Sequence, residues 1–84
     1  MLYRTLRPDD FDDALALYRE LSGSRPVADG DFGRDRFREV LDRDGTAIYG
    51  AEMDGSIVSM ATIHLMPNMT YGGRPYALVE NVVP

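Results

Sequence analysis

Glu80 stands in the run Ala77-Leu78-Val79-Glu80-Asn81-Val82-Val83, between apolar neighbours. A carboxylate on an inner strand costs free energy unless it is paired or used. Its chemistry allows two outcomes. One is a proton acceptor whose pKa is raised by apolar surroundings. The other is a structural ion pair with an arginine such as Arg74. His64, the only histidine, could act as a base or line a ligand pocket, but a lone histidine on a strand is read here as a hydrogen-bonded structural residue. Ser24-Arg25-Pro26 forms part of a polar loop, and Tyr71 and Tyr76 could border a pocket or simply serve a strand and its turn. No His, Cys or carboxylate cluster has metal-ligand spacing, so no metal site is expected.

The elements that must position these residues can be read from periodicity and turn chemistry. Tyr3 to Leu6 alternates as a short strand. Arg7-Pro8-Asp9-Asp10 stops it and opens a helix with an aspartate N-cap. Phe11, Ala14, Leu15, Tyr18 and Leu21 make an apolar stripe, and Gly23 ends that helix. A second helix is expected from about Arg34, with Phe37, Val40 and Leu41 on one side and Arg34, Arg36, Arg38 and Glu39 in water. Thr46 to Met53 and Ser56 to Met66 read as strands joined by Asp54-Gly55, a pair suited to a type I′ turn. The second of these is apolar on both faces, which predicts a covering layer on each side. After a looser connection through Gly72-Gly73, Tyr76 to Val83 is the last strand. The fold class is therefore α+β, or mixed α/β, in the order β-α-α-β-β-β, ending in an antiparallel meander.

Composition narrows the function classes. The chain has 84 residues, 44% of them hydrophobic, which suits one small globular domain with a thin core. The formal net charge is −5 and all nine basic residues are arginine, so no basic face for nucleic acid is expected. There is no cysteine to form a disulfide, no apolar run long enough to span a membrane, and no signal-peptide pattern behind Met1. A cytoplasmic protein with no membrane partner is the expectation, and in that compartment the sequon Asn68-Met69-Thr70 carries no meaning. The last strand looks interior, and unpaired apolar edges invite association. We therefore expect residues 1–84 to be a single partial domain that stops partway through its sheet and forms a homodimer.

Three stretches carry a family resemblance: Tyr3-Arg4-Thr5-Leu6-Arg7-Pro8-Asp9-Asp10, the hairpin Tyr49-Gly50-Ala51-Glu52-Met53-Asp54-Gly55-Ser56-Ile57-Val58, and Pro67-Asn68-Met69-Thr70 followed by Gly73 to Val83. In this order and spacing the chain resembles the amino-terminal half of the GNAT superfamily of N-acetyltransferases. The resemblance implies a GNAT-like fold and transfer of an acetyl group from acetyl-CoA to an amine of a small molecule or peptide. It implies Glu80 as the base and backbone contacts from Asn81, Val82 and Val83 to the pantetheine arm and thioester oxygen. It places Ser24, Arg25 and Tyr76 at the acceptor pocket. The family's basic, glycine-rich pyrophosphate loop, which opens a helix after the fourth strand, has no counterpart before Pro84. This predicts that the 84-residue chain is not catalytically competent alone and holds no bound acetyl-CoA. The alternative reading is a non-catalytic dimerisation or ligand-sensing α/β module.

Overall fold

The computed structural model describes residues 1–84. The elements are β1 (Leu2–Thr5), a single 3-10 turn (Pro8–Asp10), α1 (Phe11–Ser22), α2 (Gly30–Asp42), β2 (Thr46–Met53), β3 (Ser56–Met66), a four-residue turn (Thr70–Gly73) and β4 (Tyr76–Val83). The four strands form one antiparallel sheet in the order β1-β2-β3-β4. This is the fold class and element order expected from the sequence, including the terminal meander. The β2–β3 hairpin turns at Asp54 and Gly55 with φ values of 53° and 83°, the positive pair that a type I′ turn requires.

Several local expectations are corrected. β1 begins and ends one residue earlier than the alternation suggests. Leu6 leaves the strand, keeps one backbone bond to the Ile48 carbonyl at 2.8 Å, and turns its side chain into the core. In α1, Leu17 is buried while Leu21 is 46% exposed, so the stripe runs through Phe11, Ala14 and Leu17 with Tyr18 at its margin. α2 begins at Gly30, before Arg34, and its first bond runs from the Gly33 N–H to the Asp29 carbonyl at 2.8 Å. Gly33 permits this early start. A Cβ there would lie 2.5 Å from the Ala28 carbonyl oxygen and 3.0 Å from the Phe11 ring.

Asp10 does not cap α1 with its side chain. Its carboxylate instead accepts the Arg7 backbone N–H at 2.7 Å and a bidentate pair from Arg4 at 2.8 and 2.9 Å. Arg4 also donates to Glu52 on β2, which ties β1, the 3-10 turn and β2 together. The Arg4 guanidinium, helped by the Arg7 amide, holds the Asp10 carboxyl below its ordinary range against the opposing effect of burial. Asp13, at the front of α1, reaches the sheet as well and accepts the Ile57 backbone N–H at 3.0 Å.

Both helices pack on one face of the sheet. The core joins Leu6, Phe11, Ala14, Leu17 and Phe37 to Ile48, Ile57, Met60 and Val83. The expected second layer on the other face of β3 is not present among these residues: α1 and α2 share one side of the sheet. Tyr49, Leu65, Val79 and Val82 are exposed as a result. Only 14 of 84 residues are buried. The radius of gyration is 13.9 Å, against about 12 Å for a compact domain of this length. No helix is long and apolar enough to cross a membrane.

Candidate active site

The register of β4 decides which of its side chains meet the helices. Met60 stands opposite Val83 and Thr62 opposite Glu80, so Asn81 and Val82 together face Ala61. This is a β-bulge, with Asn81 at φ 51°, a conformation Asn tolerates better than most residues. Without the bulge, strict alternation would carry Glu80 and Val83 to opposite faces of the sheet. With it, Val83 enters the core, Glu80 and Asn81 border a cleft on the helix side, and Val82 turns to the open side.

That cleft holds about 300 Å³. Its strand wall is Thr62 and His64 from β3 with Glu80 and Asn81 from β4. Tyr18 of α1 also lines the cleft. The facing wall comes from the 23–29 loop and α2: Val27, Ala28, Gly33, Phe37 and Val40, with Arg36 as its only charge. Arg36 is already occupied at the rim, 5.3 Å from the Phe32 ring centroid and 3.8 Å from Glu39.

His64 is pinned by a short relay. Its Nδ1 lies 2.9 Å from Thr46 Oγ1, and Arg43 donates to that same oxygen at 3.0 Å. Arginine has no acceptor, so the Thr46 hydrogen is free for Nδ1, an arrangement suited to a ring hydrogen on Nε2. The structural reading of His64 therefore stands, but the residue also lines the cleft beside Glu80. Burial pushes the Tyr18 phenol above its ordinary pKa, and the neighbouring Thr62 hydroxyl offsets part of that shift.

Glu80 departs from the expectation of a costly inner-strand carboxylate. β4 is the sheet's edge in this chain, Val79 and Val82 are 54% and 52% exposed, and Glu80 is exposed too. Burial therefore imposes no cost there. The pairing alternative is absent as well: no ion pair or side-chain hydrogen bond joins Glu80 to Arg74 or to any other residue.

Of the residues assigned to an acceptor pocket, Ser24 and Arg25 are exposed in the 23–29 loop, which closes locally with the Arg25 N–H on the Ser22 carbonyl at 3.2 Å. Tyr76 is 55% exposed at the start of β4, opposite Met66. None of the three lines the cleft; the same loop contributes Val27 and Ala28 instead. Sequence reasoning assigns Tyr18 to the core stripe and Arg36 to the solvated face, and it misses Thr62. The one legible signal for Thr62 is that it and His64, two apart on a strand, share a face.

No family model and no curated protein matches the chain. Solved structures do. A provisionally assigned acetyltransferase from Agrobacterium tumefaciens strain C58 superposes with a TM-score of 0.92 at 35% identity, over 99% of this chain and 58% of that one. An acetyltransferase of Trypanosoma brucei gives 0.76 at 25% identity, over 98% and 58%. Glucosamine-6-phosphate N-acetyltransferase of Arabidopsis thaliana gives 0.79 at 22%, over 98% and 58%, and at that identity it bears on the fold alone. The chain spans about 58% of the length of these three structures. It has the fold of the first part of a GNAT acetyltransferase, as the resemblance in its sequence implied.

Proposed function

We propose that residues 1–84 form the amine-accepting side of an acetyl-CoA-dependent N-acetyltransferase domain, as a partial domain that is inactive alone. The observation that carries this reading is the bulge at Asn81, which sets an unpaired carboxylate and a pinned imidazole on one wall of a cleft in a chain with this fold. Acetyl-CoA supplies the activated acetyl group. Glu80 takes one proton from the acceptor's ammonium, directly or through water; the freed lone pair would then attack the thioester carbonyl, the C–S bond would break, and coenzyme A would leave as its thiol with a second proton from the nitrogen. The outer edge of β4 has no strand partner, so backbone groups of Asn81, Val82 and Val83 remain for an extended, amide-bearing arm, and an N–H there would stabilise charge on the thioester oxygen. The pyrophosphate-binding loop that the family carries after this strand is not among these residues.

The acceptor is a small-molecule or peptide amine. The open sheet face and free β4 edge favour a homodimer of the isolated chain. The same two features would serve a non-catalytic dimerisation or ligand-sensing module, the second reading. Calorimetric titration of the 84-residue chain with acetyl-CoA should show no micromolar binding. Binding of that strength would overturn the division of labour proposed here.

A further inference from the structure

The two walls of the cleft differ in chemistry, and that difference constrains the acceptor. The strand wall carries the polar groups: Glu80 has no partner, and His64 keeps one ring nitrogen beyond its bond to Thr46. The opposite wall is apolar, formed by Val27, Ala28, Val40 and the largely buried Phe37. Its single charge, Arg36, is turned to Phe32 and Glu39 at the rim. A polyhydroxylated amine would leave several hydroxyls against Val27 and Val40 without hydrogen-bond partners, at the cost of their desolvation. A primary amine on an apolar or aromatic body meets both walls. Its ammonium faces Glu80 and its body covers Val27 and Val40, removing apolar surface from water on both sides.

Resting on the reading of this cleft as the amine site, we infer that the acceptor is a primary amine carried on an apolar or aromatic body, and not a polyhydroxylated amino sugar. The test uses the 84-residue chain and three probes: 2-phenylethylamine, glucosamine and 2-phenylethanol. His64 is the only histidine, so its ring resonances report the strand wall without assignment ambiguity, and the methyl groups of Val27 and Val40 report the other wall. The expected result is that 2-phenylethylamine shifts both sets of signals and binds about tenfold more tightly than either other probe, a difference near 1.4 kcal/mol. Glu80→Gln should weaken the amine to the level of the alcohol. Glucosamine binding as tightly as 2-phenylethylamine would overturn the apolar-acceptor inference and leave the amine site standing. The alcohol binding as tightly as the amine would overturn the amine site and the inference with it. No shift with any probe would overturn both.

Discussion

The sheet's two faces are built from the same strands and similar residues, yet they end in opposite states. On the helix side Ile48, Ile57, Met60, Thr62 and Val83 are each no more than 5% exposed. On the other side Tyr49, Leu65, Val79 and Val82 are about half exposed, and Tyr49 and Val82 line an open groove of about 550 Å³. Apolar character alone therefore does not mark a core in this chain; a covering element does. The cleft lies on the covered face because only there do α1, α2 and the loop between them supply a second wall.

The largest expected effect follows from the covered face. Ile48 is fully buried between the helices and the sheet, so Ile48→Ala should destabilise the chain by about 3 kcal/mol. Equilibrium urea unfolding measures this. In a domain this small such a loss should leave a large unfolded fraction at room temperature; a loss under about 1 kcal/mol would show that the helix layer is loosely packed.

A smaller effect belongs to the ionic network at the sheet's first strand. Asp10 titrates lower in the fold than in the unfolded chain, because Arg4 and the Arg7 amide favour its charged form. Its contribution is thus fully present above the unfolded aspartate value and is lost as pH falls through the lower folded value. Asp10→Asn should cost about 2 kcal/mol near neutral pH and flatten the acid limb of the stability curve. Thermal melts of both proteins from neutral pH down to strongly acidic conditions compare the slopes directly. Parallel acid limbs would remove Asp10 from the account.

The smallest effect on stability, and the sharpest on association, is expected at the open face. Val79→Thr should change unfolding free energy by no more than about 0.5 kcal/mol, since the side chain is 54% exposed. The same change should shift sedimentation toward the monomer if a second copy covers this face. A parent chain that sediments as a single 9.4 kDa species, without binding dyes for apolar surface, would show that the open face is stable in water as it stands.

Much of the fold is legible in the sequence because its signals are local. Asp54-Gly55 marks a hairpin turn, and helical spacing locates α1 and most of α2's buried side. Leu17 and Leu21 are exchanged because they lie one turn apart on the same side of α1, and the sheet covers the one further from the helix end. The start of α2 is hidden because Gly33 acts through a close approach to Ala28, which is a tertiary contact. The cleft is legible in part. Glu80, Asn81 and His64 stand out by type, but their meeting depends on the register of β4 on β3. The bulge that sets this register is made by an asparagine at positive φ, and no periodicity announces it. Resemblance alone points to Ser24, Arg25 and Tyr76, and the loop presents its apolar residues to the cleft instead.

The central claim is that Glu80 accepts the proton in acetyl transfer, and its carboxylate has no ion pair or hydrogen bond within these residues that its replacement would break. In the acetyltransferase domain of which this chain is proposed to be the first part, Glu80→Gln keeps the shape and removes the basic oxygen. Turnover at neutral pH should fall by about 10² or more. Acetyl-CoA affinity should stay within about twofold, and the rate should partly recover at high pH as the amine deprotonates in solution. A variant with unchanged turnover and an unchanged pH–rate profile would contradict the assignment and leave Glu80 a surface residue of an edge strand.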